Sequence, residues 1–441
     1  MNKQIRWLMT EIDRWTAEGL LTPEQAGRLR QRYPQPTAEG PHWSLLVFAS
    51  AGAVVIGLGV ILLFAYNWND IPKFGKLALI FGAISAAHAG GLYYCRQTDW
   101  RRQIGAVLHL LGTMFFGAGI WLVAQIYHIE EHFPTGFLIW GIGALVLAWA
   151  LDSVLQALLA TVLLTIWGGS EMLAFREPHL WALPLVVVGV APLAWRRRSG
   201  VLLCFVIIAV QFLLIANLSS FGTGAHVFTT SFALGAFWIA AARLSAAGTP
   251  DFSGGTKVMN FFGYAGFILC AYLLSFGWAA NYVFNWERSM TPGQETAMLY
   301  SWGLFGLALA SWIIVALRTF FRRALHTPAE EWLVPLAVIY CYALVWGHYR
   351  AFTQFGVRPF NLILLGLASA WMWHGSREGR LRDTVLGLLL LSAVVLARYF
   401  DLFQSLAARG LAFVVLGAVL LSVVLFRRKS RASAAPDGGA S

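Results

Sequence analysis

Charge is what this chain has least of. Asp, Glu, Lys and Arg make up 12% of its 441 residues, about half the share of an ordinary soluble protein. A single water-soluble core of this length could not hide the 58% that is hydrophobic, so lipid must solvate much of it. Cysteine is also scarce. Cys95, Cys204, Cys270 and Cys341 are its four, none in a C-x-x-C pair, which excludes a disulfide framework and a thioredoxin-type redox motif. They lie in or at the end of apolar runs and are read as inert packing groups. No Walker-type phosphate loop and no G-x-S-x-G motif occurs, so no catalytic residue is assigned and no cofactor is expected. A cleaved secretory leader is not expected either: the first forty residues are charged and amphipathic, without a short apolar core.

What is present is a succession of long apolar runs from Ser44 to Phe426. By the length criterion for a bilayer-crossing helix they predict an all-α polytopic protein of about fourteen spans. The expected spans are 44–66, 74–95, 104–127, 134–150, 154–175, 178–195, 201–221, 226–245, 258–280, 297–317, 332–349, 358–374, 384–397 and 410–426. Basic residues alternate between the gaps. Arg96, Arg101 and Arg102 fill one, 128–133 has none, and Arg196, Arg197 and Arg198 fill a later one. This is the positive-inside pattern. An even count, closed by Arg427, Arg428, Lys429 and Arg431, puts both termini in the cytoplasm. Topology thus accounts for the formal charge of +11 without an acidic ligand. Membrane lipids are the expected partners and nucleic acid is not one.

Residues 1–33 read as a cytoplasmic helical hairpin. Ile5, Leu8, Ile12 and Trp15 form one apolar stripe at helical spacing, and Gly19 supplies a stop. Thr22, Pro23, Glu24 and Gln25 restart the chain as a capping box with proline at the first helical position. A Pro-rich linker follows over 34–43, then the multi-pass domain over 44–426 and a disordered basic cytoplasmic tail over 427–441.

The N-terminal third resembles the bacterial family of predicted membrane proteins known as domain of unknown function 2157. In the hairpin the resemblance rests on Trp15, Gly19, Leu20, Glu24, Gln25, Ala26 and Tyr33. Beyond it come Asn67-Trp68, Ile71-Pro72 and Lys76, then Gly117-Ala118-Gly119-Ile120 with Gln125-Ile126-Tyr127, and finally Trp140-Gly141. It covers roughly residues 5–150. It implies a cytoplasmic hairpin joined to a bacterial inner-membrane domain, and no activity.

Few residues suggest chemistry. His128, Glu131 and His132 have the H-x-x-E-H spacing of a zinc hydrolase, where two histidines one helical turn apart share a metal. The segment falls at a membrane exit with Pro134 just beyond, and a polar outer loop is the preferred reading, with no metal assigned. Glu171 is the one acid placed within a span, near its outer end, where an ionisable group is costly. His88, His109 and Gln211 sit in apolar spans and are read as bonding to neighbouring helices. A candidate polar pocket facing outward gathers Asn67, Trp68, Asp70, Gln125, Tyr127, His128, Glu131, Glu171 and Gln211. The favoured function is a non-enzymatic scaffold or regulator, its hairpin binding a cytoplasmic protein or a second copy of the chain. The alternative is a transporter or lipid-linked flippase with a small polar site. An outer-face metalloenzyme ranks last.

Overall fold

The computed structural model describes residues 3–32, 43–66, 72–97, 101–128, 132–175, 180–220, 224–248, 252–284, 294–321, 325, 327–346, 356 and 358–402, with isolated positions from 410 to 422. Every regular element among them is helical. Hydrocarbon offers no hydrogen bonds to a backbone, and a helix satisfies its own. The residues form two compact units, Met1–Ala160 and Thr161–Ser441.

The first unit holds α1 (Lys3–Ala17), α2 (Pro23–Arg32), α3 (Trp43–Tyr66), α4 (Lys73–Cys95), α5 (Arg101–Tyr127), α6 (Pro134–Ala150) and the start of α7 (Val154–Phe175). Helices α1 and α2 close on a small core of Met9, Ile12 and Ala26, flanked by Leu8, Trp15, Leu21 and Leu29. Gly19 has φ 75°, and the Leu20 and Leu21 amides turn back to the Trp15 carbonyl at 2.9 and 3.2 Å. Both bonds of the capping box are present: Thr22 N–H donates to Gln25 Oε1 at 3.0 Å, and Gln25 N–H to Thr22 Oγ1 at 3.3 Å. Arg30 pairs with Asp13 at 2.5 Å across the two helices. Replacing Thr22 with alanine removes one cap bond and is expected to weaken α2 by about 1 kcal/mol. Hydrogen exchange of the Gln25 amide should then quicken several-fold.

Helices α4 and α5 run side by side as an antiparallel pair, with α3 and α6 packed against α5. Ile80 of α4 meets Leu122 and Ile126 of α5 near one end. On the other face of α5, Trp140 of α6 donates its indole N–H to the Thr113 carbonyl at 2.8 Å.

The second unit holds the rest of α7, α8 (Ala182–Arg196), α9 (Gly200–Ser220), α10 (Gly224–Gly248), α11 (Ser253–Leu274), α12 (Gly277–Phe284), α13 (Gln294–Ala316), α14 (Leu333–Trp346), α15 (Arg358–Arg377) and α16 (Leu381–Leu402). Leu185–Val190 within α8 is π-helical, and the Ala191 amide reaches the Val186 carbonyl. Pro184 and Pro192 flank this stretch; neither has an N–H to give the α-helical ladder, and the wider winding re-routes the bonds around them. Helix α10 is the centre of the unit, packed against α11, α13 and α14. Its Phe232 stacks on Phe267 of α11 at 4.7 Å, and Trp312 of α13 donates to the Ala236 carbonyl at 3.0 Å.

Among the described residues seven helices are long and apolar enough to cross a membrane: α4, α5, α7, α9, α10, α11 and the stretch Glu295–Phe321 around α13. Pro134–Ala150 and Ala182–Arg196 are apolar but shorter. Helices α14, α15 and α16 also fall where spans were expected, yet differ in kind. Helix α14 has 14 residues. Helices α15 and α16 carry Arg358, Arg377, Asp383 and Arg398 within their length. The expected span 258–280 is interrupted: α11 stops at Leu274, and Ser275 turns its hydroxyl onto the Tyr272 carbonyl at 2.6 Å. The linker 34–43 (but for Trp43), the tail 427–441 and most of 410–426 lie outside the described residues. Large apolar side chains such as Phe48, Leu62, Val188 and Leu299 stand exposed on helix faces. A hydrocarbon solvent suits them and water does not.

Candidate functional site

Helices in lipid gain little from burying apolar side chains against one another, so close packing and polar contacts decide which faces meet. Among the described residues three polar clusters stand out, one in the first unit and two in the second.

In the first unit His88 of α4 and His109 of α5 bring their Nδ1 atoms to 3.0 Å, with ring centroids 5.3 Å apart. His109 is 3% exposed. Each ring lies on a glycine of the other helix. A methyl group on Gly91 would sit 2.8 Å from the His109 ring, and one on Gly112 would sit 2.8 Å from His88 Nε2. The two helices thus present the same device, His88-x-x-Gly91 and His109-x-x-Gly112, each histidine on the opposite glycine.

In the second unit Arg243 near the end of α10 meets Glu331, in the 3₁₀ turn Ala329–Trp332 that leads into α14. Arg243 Nε donates to Glu331 Oε2 at 2.7 Å and its Nη2 donates to Glu331 Oε1. Tyr264 of α11 donates its hydroxyl to Glu331 Oε1 at 2.6 Å. Glu331 is only 2% exposed. Two-pronged pairing plus a third donor is the geometry that makes a buried carboxylate tolerable. Beside it His374 of α15 lies 3.4 Å from Glu330, and Trp371 sets its edge against Tyr264.

At the other end of the same unit, Thr229 of α10 and Ser301 of α13 place their hydroxyls 3.0 Å apart. The Tyr342 hydroxyl of α14 lies 3.0 Å from Ser301 Oγ and donates to the Ser301 carbonyl at 2.8 Å. All three are buried. This chain of hydroxyls ties α10, α13 and α14 together.

The residues singled out from sequence are distributed as follows. Asn67, Trp68, Asp70 and Glu131 lie outside the described residues. Gln125 and Tyr127 are exposed at the end of α5, and His128 follows with φ 52°. His132 also lies outside any helix, so the two histidines of the zinc-like spacing do not share a helical face. Among the described residues no group of three or more His, Cys, Asp or Glu is placed to hold a metal ion. Glu171 is buried in α7 and accepts a 3.2 Å bond from the Trp167 indole. Gln211 of α9 reaches Ser231 of α10 at 3.5 Å. A shallow apolar crevice with about 10 Å³ of room for a water-sized sphere opens among Ala236, Phe305, Trp312 and Val338, far below the size of ordinary ligand pockets.

The sequence reading of His88, His109 and Gln211 as inter-helix bonds agrees with their contacts. It missed Arg243, Tyr264 and Glu331, and the hydroxyls of Thr229, Ser301 and Tyr342. One signal was available. Glu330 and Glu331 form an acidic doublet in a gap assigned to the basic side, where an acid calls for a cationic partner.

Residues 13–157 match the family model described as "Predicted membrane protein (DUF2157)". The match covers about a third of the chain and coincides with the stretch in which the resemblance was read. Neither the curated proteins nor the solved structures contain a match to the chain. With helices of spanning length both within residues 13–157 and beyond them, it is a multi-pass membrane protein.

Two residues that carried the resemblance touch in the structure. Gly117 of α5 faces the indole of Trp140 on α6, and any side chain at 117 would collide with that ring. The glycine and the tryptophan therefore make one packing contact.

Proposed function

We propose that this protein is a non-enzymatic scaffold or regulator of the bacterial inner membrane. It crosses the bilayer about fourteen times, with both termini and the α1–α2 hairpin in the cytoplasm. The observation that carries the docking role is the α1–α2 pair itself. It has its own core, its own caps and its own cross-helix ion pair, the properties of a module that keeps its shape while presenting a surface. Deleting residues 1–40 from the full chain is expected to abolish cross-linking to a cytoplasmic protein or to a second copy while leaving membrane insertion intact. Unchanged cross-linking and an unchanged deletion phenotype would remove the proposal.

The alternating topology draws support from the second unit, independent of charge counting. Arg243, Glu331 and Tyr264 belong to span ends assigned to the cytoplasmic side, and they meet, as do Glu330 and His374 beside them. Thr229, Ser301 and Tyr342 belong toward the opposite ends, and they meet as well. So do Ser275 and Arg398, joined at 3.1 Å.

A second reading, a transporter or lipid-linked flippase, is favoured by the buried polar groups, because intramembrane polar clusters commonly mark conduction or substrate paths. Solute and lipid profiling of a deletion strain separates the two: accumulation of one compound on one side of the membrane supports transport.

A further inference from the structure

We propose that His88 and His109 form a proton-binding site within the membrane helices, a two-imidazole relay whose ligand is the proton. The inference does not depend on the docking role of the hairpin.

The bond between the rings runs from Nδ1 to Nδ1 over 3.0 Å. One ring must donate there and the other accept, so the pair shares a single proton in that bond. A neutral imidazole carries its one hydrogen on one nitrogen or the other, which makes the two tautomers opposite. His109 is 3% exposed, and its Nε2 is buried with no hydrogen-bond partner among the described residues. A buried bare acceptor is less costly than a buried orphan N–H. His109 is therefore the donor at Nδ1, and its Nε2 is an unprotonated base enclosed in the protein. His88 accepts at Nδ1 and carries its hydrogen on Nε2, on the less buried of the two rings.

This arrangement moves a proton without leaving a charge behind. A proton arriving at His109 Nε2 makes an imidazolium, which passes its Nδ1 hydrogen to His88 Nδ1. His88 then gives the hydrogen on its Nε2 to a water molecule, which carries it away as hydronium. One proton enters, one leaves, and both rings end neutral in the opposite tautomers with the bond between them reversed. A return hop or rotation of the rings restores the start. Permanent charge at this depth is costly, so the pair rests neutral.

The surroundings suit such a site. The pair lies seven residues before the end of α4 at Cys95 and eight after the start of α5 at Arg101, about 11 Å along the helix from that basic end. Helices α3 and α6, packed on α5, carry no titratable side chain except Tyr66 at the end of α3. Helix α4 adds Lys73, Lys76, Tyr93, Tyr94 and Cys95, and α5 adds Arg101, Arg102 and Tyr127. The acidic counter-charge that would hold an imidazolium in place is absent from these four helices. Gly91 and Gly112 hold the rings at bonding distance.

The test is nitrogen NMR of the full chain with ¹⁵N-histidine in lipid nanodiscs, with His88→Asn and His109→Asn used to assign the two rings among the ten histidines. At neutral pH the wild type should show opposite tautomers and one hydrogen shared between the Nδ1 atoms. On acidification both rings should change together, and either substitution should abolish the change in the remaining ring. Three results would overturn the proposal: rings that keep fixed tautomers from pH 8 to pH 4, rings that titrate independently, or displacement of the shared hydrogen by one equivalent of zinc or copper. The wild-type spectra decide the first and third even if a variant fails to fold.

Discussion

Replacing Glu331 with alanine is expected to destabilise the second unit by about 3–5 kcal/mol, the usual cost of removing one partner from a buried ion pair. Arg243 would keep its charge and lose both carboxylate contacts, and Tyr264 would lose its acceptor. The damage should be specific to the orphaned charge. Adding Arg243→Met to Glu331→Leu removes both charges together, and this double variant should be markedly more stable than Glu331→Ala alone. Unfolding of the purified protein in mixed micelles, followed by tryptophan fluorescence, measures both variants against the wild type. Equal losses in the single and double variants would mean that the ion pair does not organise this end of the unit.

The second large effect is expected at Gly117. Its Cα faces the Trp140 ring so closely that even alanine must displace the indole, and Trp140 is also held by its bond to the Thr113 carbonyl. Gly117→Ala should cost about 1–3 kcal/mol, the range for overpacking a tight contact. In a Trp140→Ala background the same change should cost almost nothing, because the obstructing ring is gone. That non-additivity, read from a double-mutant cycle by the same unfolding measurement, is the signature of direct contact. Additive losses would contradict it.

Much of the helical layout was legible because span length and apolar continuity are properties of a single segment. The ends of α4, α5, α6 and α7 fall within three residues of the expected limits. The cap at Thr22 and the stop at Gly19 were legible for the same reason: both are local chemistry. What could not be read was which polar side chain meets which. His88 and His109 are 21 residues apart in sequence and bonded, Arg243 and Glu331 are 88 apart and bonded, and spacing encodes neither pairing. Glu331 escaped notice because it stands just ahead of an apolar run and reads as a loop acid, whereas the 3₁₀ turn draws it beneath Tyr264. The interruption at Ser275 was equally hidden, since a serine among apolar residues looks like part of a span.

The proposed topology has the chain crossing lipid repeatedly with its arginine-rich turns in the cytosol. The most direct test is accessibility of single cysteines, introduced in a background with the four native cysteines replaced, at His128, Arg197 and Glu378 in intact cells. A membrane-impermeant thiol reagent added outside should label position 128 and leave 197 and 378 untouched until the membrane is opened. Labelling of 197 or 378 from outside, or protection of 128 together with them, would contradict the account.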